Sequence, residues 1–142
     1  MTIDFRCKCP ISSALDIIGD KWTLLIVRDM IFDHKKTFKD FSTSAESIAS
    51  NILSSRLKLL EEVGIIRKSK MEGNQKSNIY TLTEKGLGLL PVIAEITLWS
   101  DENVRTLNPS MVKEDYEYVR TNKEAFLEAV KQRYLNALGV IK

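Results

Sequence analysis

The most constraining feature of this sequence is a change of hydrophobic period at Gly64. Upstream, over 47–63, apolar side chains recur with the 3.6-residue period of an α-helix. Downstream, the period falls to about two over 65–71 and again over 78–83, which is typical of β-strands. The polar stretch 72–77 between these segments contains glycine and asparagine, as expected of a hairpin loop. We therefore predict a helix followed directly by a two-stranded hairpin.

Three further helices are predicted upstream of this segment. Pro10 suits the first position of a helix, where its missing N–H is not needed, and Gly19 suits the position after the last residue. Aspartate and threonine are good N-caps, and one of each stands directly before a helical pattern of apolar residues. We predict helices over 10–18, over 21–32 with Asp20 as its cap, and a short one after Thr37 that carries Phe38 and Phe41.

Two helices are predicted downstream of the hairpin. Thr83 is placed to cap a helix over 84–104, whose apolar residues lie on more than one side and must be covered on several faces. A final helix over 122–138 carries one apolar stripe. The order of four helices, a hairpin and two helices is that of a winged helix-turn-helix with helical arms at both ends. The predicted fold class is mainly α with one small hairpin (α+β).

The composition is that of an ordinary soluble protein with one domain. The 142 residues suit a single core, and 44% hydrophobic and 28% charged residues are usual for globular chains. No run approaches the roughly 20 apolar residues of a membrane span, and the N-terminus lacks the apolar core of a secretory signal. We therefore expect a cytoplasmic protein. Its two cysteines, Cys7 and Cys9, are too close in sequence to cross-link a fold and are expected to be free thiols.

Little in the sequence indicates an enzyme. The chain has one histidine, His34, and neither a glycine-rich phosphate loop nor a recognisable set of serine, histidine and acid. Cys7, Cys9 and His34 offer three metal ligands without a fourth. We expect no catalysis, no metal and no cofactor.

The charge distribution favours an anionic partner. The segment 35–80 contains nine basic and five acidic residues, a net charge of +4, whereas the rest of the chain carries −2. A positive middle flanked by near-neutral arms is typical of a module that faces phosphates.

The predicted helix over 47–63 has a face of short polar side chains, which a helix needs in order to approach base edges in the major groove. Asparagine can form two hydrogen bonds with an adenine edge, and serine can bond to bases or phosphates. Lysines of the hairpin, a wing over 65–83, would reach the backbone or the minor groove. We expect DNA contacts from Ser50, Asn51, Ser54, Ser55 and Lys58 of the helix and from Lys68, Lys70 and Lys76 of the wing.

Two alternatives stay open at this point. Serine and asparagine occur on any solvated helix, so the polar face alone does not distinguish a DNA reader from an ordinary surface. A winged-helix module can also bind protein without sequence-specific DNA binding, because fold does not determine function.

Arg56 departs from the helical pattern, since it falls within the apolar face between Ile52 and Leu60. We favour a buried or half-buried ion pair, with Asp40 or Glu46 as the partner, over the alternative of a direct DNA contact for this side chain.

Several motifs in this order resemble the HxlR-type regulators, a branch of the MarR-like winged-helix proteins. The stretch CPISSALDIIGDKWTLLIVRD, from Cys9 to Asp29, resembles the opening of that family. The helix from Ile48 to Gly64 resembles its recognition helix, although the family often has serine where this chain has Ala49, and we assign the helix cap to Ser47. The run YTLTEKG, from Tyr80 to Gly86, followed by Leu90, Pro91 and Trp99, resembles the strand and long helix after its wing.

The resemblance implies a DNA-binding transcriptional regulator that binds a pseudo-palindromic operator in double-stranded DNA as a homodimer. It implies one domain over 1–142, with a DNA-binding core at about 20–83. Dimerisation is then expected from the helices at 9–19, 84–105 and 122–138.

Cys9 has a physical argument of its own. If Pro10 is the first helical residue, Cys9 is the N-cap, where the positive end of the helix dipole and the nearby Arg6 and Lys8 stabilise a thiolate. Some members of the resembling family sense quinones, oxidants or aldehydes through a cysteine before the matching proline. The resemblance therefore implies a thiol sensor at Cys9 with Cys7 as a resolving partner and a small electrophile as effector. The alternative is a reduced cysteine without a role.

Overall fold

The computed structural model of this chain describes residues 3–139. Over that range the chain forms eight helices and a two-stranded antiparallel sheet, which confirms the predicted mainly α fold with one hairpin. In chain order the elements are α1 (Pro10–Ile18), α2 (Thr23–Asp33), α3 (Phe38–Ser42), α4 (Ser50–Glu62), β1 (Ile66–Met71), β2 (Asn74–Leu82), α5 (Glu84–Leu87), α6 (Leu90–Asn103), α7 (Glu117–Thr121) and α8 (Lys123–Ala137). They divide into two compact units, one ending at Leu87 and the other beginning at Gly88.

The core of the first unit lies among α2, α3, α4 and the hairpin. In α4 the buried residues are Leu53, Leu57 and Leu60, which follow one another at the spacing of a single helix face. Burying each such side chain contributes about 1.5 to 3 kcal/mol, so this face determines how α4 is rotated about its axis. The other fully buried large side chains of the unit are Phe41, Met30, Ile31, Ile66 and Val27.

The predicted start of α4 at Ser47 is wrong. Ser47 has a φ of 57°, in the left-handed region, and its N–H donates a 3.0 Å hydrogen bond to the Ser44 carbonyl within a turn. The helix begins at Ser50, and its N-cap is Ala49, which has no side-chain oxygen to accept a bond from the first turn. The N-cap therefore lies two residues further along the chain than predicted, at Ala49 instead of Ser47.

The cap of α3 agrees with the sequence prediction, whereas the N-cap of α2 is Trp22 and not the predicted Asp20. The Thr37 hydroxyl accepts a 3.1 Å bond from the N–H of Asp40, whose carboxylate accepts from the N–H of Thr37, a complete capping box. The Asp20 carboxylate accepts hydrogen bonds from the N–H groups of Trp22 and Thr23. Because those bonds form a turn of their own, α2 begins two residues later than predicted, at Thr23.

The hairpin is longer than predicted. Ile66 pairs with Leu82 and Lys70 with Asn78, and the register then shifts before Met71 pairs with Asn74. The shift leaves 75–77 of β2 as extra residues, so the predicted loop over 72–77 is wrong beyond Gly73. Most of the first half of β2 is exposed on both faces, and it therefore shows no alternation of apolar and polar residues.

The helix predicted over 84–104 is two helices. Thr83 caps the first as expected, since its hydroxyl accepts a 3.2 Å bond from the N–H of Gly86. Pro91 then stands in the first turn of α6, where its missing N–H and its ring interrupt a continuous helix. Gly86 is required by packing, because a Cβ there would lie 2.2 Å from the Ile65 carbonyl oxygen.

The second unit contains α6, α7 and α8. Its buried side chains are Leu90, Ile93, Ala94 and Leu98 of α6 and Val130 and Tyr134 of α8. The prediction over 122–138 is confirmed in its bounds, since Asn122 and Leu138 are the caps of α8. The short helix α7 was not predicted. Ion pairs reinforce the unit: Asp101 binds Arg120 of α7 and Arg105, and Glu95 binds Lys123.

Candidate nucleic-acid interface

The polar face of α4 lies on the surface of the first unit. Ser50, Asn51, Ser54, Ser55 and Lys58 are all exposed, whereas the leucines on the opposite side are buried. At 100° per residue the five side chains span an arc of about 140°, without an apolar side chain between them. The arc is therefore a continuous hydrogen-bonding surface made mostly of short side chains.

The wing contributes exposed cations beside this face. Lys68, Lys70 and Lys76 are all exposed. The ammonium of Lys70 donates a 2.9 Å bond to Asn78 Oδ1, and Lys68 Nζ lies 3.7 Å from Glu61 Oε1. An ion pair between two exposed side chains is weak, so a phosphate can replace Glu61 as the partner of Lys68.

A cavity of about 300 Å³ between α4 and the hairpin brings predicted site residues together. Ser54 and Lys58 of α4 line it with Lys68 of β1, and Tyr80 of β2 forms part of its wall. Glu61 and Glu62 also line the cavity, so its two lysines are balanced by two carboxylates, and the positive charge offered to a phosphate comes from the lysine side chains themselves and not from the cavity as a whole. Lys76 lies in the extra residues of β2 and is not part of this cavity.

Arg56 forms the half-buried ion pair that the sequence predicts, but both predicted partners are wrong. Its guanidinium lies 3.5 Å from Asp20 Oδ1, and its side chain is 27% exposed. Asp40 instead belongs to the capping box of α3, and Glu46 binds Arg28. Arg56 therefore joins α4 to the start of α2.

The structure also shows a polar cluster that the sequence analysis missed. Arg28 of α2 donates hydrogen bonds to both carboxylate oxygens of Glu46, each 2.8 Å long. It also donates to Oδ1 of the buried Asp29, at 2.8 and 2.9 Å. The sequence did contain a signal for this cluster: Arg28 and Asp29 are adjacent charged residues in a mostly apolar helix. Charges buried in such a helix need partners, so a polar cluster around them could have been expected.

Cys9 is the N-cap of α1, as predicted, and both cysteines are exposed. The Cys9 carbonyl accepts a 2.9 Å bond from the N–H of Ser13, the first bond of the helix. Arg6 forms an ion pair with Asp16 at 2.5 Å, so its charge is shared with that carboxylate and does not act on Cys9 alone. Within 3–139, no group of three or more His, Cys, Asp and Glu side chains is arranged to hold a metal.

Comparison with known proteins decides the family. A family model described as HxlR-like helix-turn-helix matches residues 17–108, from the end of α1 past the end of α6. The chain belongs to this family. The match includes α4 and the whole hairpin, so the resemblance to HxlR-type regulators is confirmed. Helices α7 and α8 lie outside the matched range.

The relatives are named as transcriptional regulators. The HTH-type transcriptional regulator YodB of Bacillus subtilis (strain 168) is 35% identical over 95 residues, which cover 66% of this chain and 84% of YodB. The structure of quinone-bound YodB has a TM-score of 0.56 at 35% identity. The match covers 66% of this chain and 98% of the YodB chain. The structure of the redox regulator HypR in its reduced form has a TM-score of 0.60 at 30% identity. The match covers 71% of this chain and 99% of the HypR chain.

A third solved structure, that of PA1607, has a TM-score of 0.67 at 35% identity and covers 77% of this chain and 75% of its own. The HxlR-family chain is thus a transcriptional regulator with a helix-turn-helix fold. Regulators of this kind are not enzymes. Among the described residues, no helix has both the length and the apolar character needed to cross a membrane.

Proposed function

We propose that this regulator binds operator DNA as a homodimer, with α4 in the major groove and the hairpin as a wing on the backbone or in the minor groove. The observation that supports this most strongly is the exposed polar arc of α4 beside the exposed lysines of the hairpin. A regulator of chromosomal genes acts where the chromosome is, so we place the protein in the cytoplasm.

The residues of the arc divide into two roles. Ser50, Asn51 and Ser54 are proposed to read base edges, because they lie towards the start of α4, the end that recognition helices insert into the groove. Ser55 and Lys58, with Lys68, Lys70 and Lys76 of the wing, are proposed to bind phosphates, which adds affinity without sequence preference.

Exposed apolar side chains support the homodimer. In the first unit, Ile11 and Leu15 of α1 are 71% and 51% exposed. In the second unit, Val92, Ile96 and Trp99 form a ridge on α6 at helical spacing, and Trp99 is 62% exposed. A monomer would leave these faces in water, so we assign them to contacts with a second copy.

The proposed dimer uses the segments 9–19, 84–105 and 122–138, with 20–83 as the DNA-binding part of a single functional module. A two-fold dimer presents two copies of α4, which match half-sites about one helical turn apart, or about 34 Å.

The test is a selection of duplexes from a random pool by the wild-type protein, followed by anisotropy titrations at several salt concentrations. We expect one enriched sequence, called here the selected duplex, and affinity that falls steeply as salt rises, because bound lysines release counterions from DNA. Absence of an enriched sequence together with a flat salt dependence would contradict DNA reading. That result would favour a winged-helix module that binds protein.

A second function is supported at Cys9. An exposed thiol at the N-terminus of α1 is placed to react with a small electrophile. The names of two relatives point the same way, since YodB has been crystallised with a quinone and HypR is a redox regulator. In the proposed step the Cys9 thiol gives its proton to solvent, and the thiolate sulfur forms a bond to a ring carbon of the quinone. The π electrons of the ring C=C bond move to the conjugated carbonyl oxygen, which takes up a proton. Loss of the proton from the attacked ring carbon, with protonation of the second ring oxygen, gives the hydroquinone thioether. Cys7 is the proposed resolving thiol if the reagent is an oxidant.

A further inference from the structure

The entry to α4 has no local side-chain cap. Its N-cap is Ala49, and the residue before Ile48 is held in the left-handed region. Ile48 is buried and anchors the turn to the core, but apolar burial is non-directional. The buried leucines set the rotation of α4 about its axis, so what a directional contact has to add is the position of the turn that leads into the first turn of the helix.

That contact is the pair of Arg28 and Glu46. A hydrogen bond from the N–H of Ser47 to the carbonyl of Ser44 closes a turn just before α4, and Glu46 lies within this turn. The two terminal nitrogens of Arg28 each donate to a different oxygen of Glu46 at 2.8 Å. This two-point geometry fixes orientation as well as distance, which a single ion pair does not.

Arg28 is itself held in place by the buried carboxylate of Asp29. Asp29, with a side chain 4% exposed, accepts from two nitrogens of Arg28 and lies 3.3 Å from Lys35 Nζ. The next residue, Lys36, accepts a 2.8 Å bond at its carbonyl from the N–H of Tyr80 in β2. A continuous series of contacts thus runs from the entry of α4 through α2 to the wing. The hydrogen bond from Arg28 also holds the pKa of Glu46 below its usual value, so this carboxylate stays charged.

We propose that Arg28 and Glu46 are positioning residues for DNA reading: their two-point bond directs the first turn of α4, where Ser50 and Asn51 lie. The inference rests on the proposed DNA reading by α4. Neither residue needs to touch DNA, since Arg28 acts through Glu46 and Glu46 through the backbone of the turn. The pair therefore contributes to specificity and not to the general attraction for phosphates.

The experiment compares the affinities of variants for the selected duplex and for random duplex DNA. Glu46→Ala is the main variant, because Arg28 keeps Asp29 as a partner and the fold is retained. We expect the affinity of Glu46→Ala for the selected duplex to fall about tenfold, the scale of one lost base contact, with little change on random duplex. The melting temperature should stay close to that of the wild type.

Two further variants separate positioning from charge and from folding. Asp33→Ala removes an exposed carboxylate from the last residue of α2 and serves as the matched control, so it should keep the preference for the selected duplex. Arg28→Lys keeps a cation beside Asp29 but cannot make the two-point bond, and it should lose preference as Glu46→Ala does.

Equal losses on both duplexes, a loss that follows a lower melting temperature, or unchanged preference in Glu46→Ala would overturn the positioning role. If the wild type itself shows no preference for the selected duplex, the proposed DNA reading fails and the positioning role fails with it. The two failures are distinct, because the first appears only in the variants.

Discussion

The guanidinium of Arg56, in the second turn of α4, lies 3.5 Å from the carboxylate of Asp20, which precedes α2. The same carboxylate accepts a 2.6 Å bond from the Thr23 hydroxyl and two bonds from backbone N–H groups. Burial raises the pKa of Asp20, but the bonds from Thr23 and Trp22 and the charge of Arg56 outweigh it, so the pKa lies below the usual 3.8.

This lowered pKa predicts a pH-dependent contribution to stability. A carboxylate with a depressed folded-state pKa stabilises the fold above its unfolded-state pKa, and the contribution is lost as pH falls through the folded-state value. Asp20→Asn retains a side-chain oxygen that can accept the bonds from the N–H groups of Trp22 and Thr23, but not the charge. Urea unfolding should show a lower free energy of unfolding for Asp20→Asn at pH 7, and the difference from the wild type should close on acidification below pH 3.8. A difference independent of pH would show that the charge of Asp20 contributes nothing.

The apolar ridge of α6 predicts the oligomeric state. Sedimentation equilibrium at micromolar concentration should give about 32 kDa, twice the 16.2 kDa of one chain, because two copies cover each other's exposed faces. Ile96→Glu places a charge in that contact and should yield the monomer. Leu107→Glu changes an exposed apolar residue outside the proposed interface and should leave the dimer intact; Leu107 is 81% exposed, against 49% for Ile96. A stable wild-type monomer would contradict both the dimer and the paired half-sites.

The exposed thiol of Cys9 leads us to predict that electrophiles change the affinity of the protein for DNA. Modification by a quinone should weaken binding of the wild type to the selected duplex, because an adduct on α1 in the proposed dimer contact changes the spacing of the two α4 helices. Cys9→Ser should bind equally well before and after treatment, and Cys7→Ser, the matched control, should still respond. Undiminished binding by wild-type protein that mass spectrometry shows to be fully modified at Cys9 would rule out the sensor.

The exposed side chain of Lys76 is proposed to add affinity for DNA that does not depend on base sequence. Lys76→Ala should weaken binding to selected and random duplexes alike and reduce the slope of log affinity against log salt by about 1, since one phosphate contact is lost. Glu72→Ala, in the same hairpin, removes a charge of opposite sign and should strengthen binding to both duplexes. An unchanged salt slope in Lys76→Ala would place this lysine away from the DNA.

The sequence predicted the elements whose signals are local. Pro10 and Gly19 bound α1 as expected, and the apolar positions of α4 identified its buried face. The sequence did not predict features that depend on residues distant in the chain, or helix starts that have no side-chain cap. Nothing in the local pattern distinguishes Ser47 in a left-handed turn from Ser47 as a cap, because the helix that follows uses Ala49.

The partners of the charged side chains were the least predictable feature. Arg28 and Glu46 are 18 residues apart, and only the tertiary fold brings them together. Arg56 was correctly assigned to an ion pair because its position on the helix is half-buried, yet its partner Asp20 lies 36 residues away in the sequence. The polar face of α4, in contrast, follows from helical period alone, and all five of its proposed DNA-binding side chains are exposed.

The most direct test of DNA reading by α4 is the affinity of Asn51→Ala for the selected duplex relative to random duplex, with Lys76→Ala as the matched comparison. Asn51 is exposed in the first turn of α4 and can form two hydrogen bonds with one base edge. We expect its loss to cost about 1 to 3 kcal/mol on the selected duplex, to relax the preference at one base pair, and to leave random binding and its salt slope unchanged. If Asn51→Ala instead weakens both duplexes equally, as Lys76→Ala should, then α4 is not the element that reads the operator.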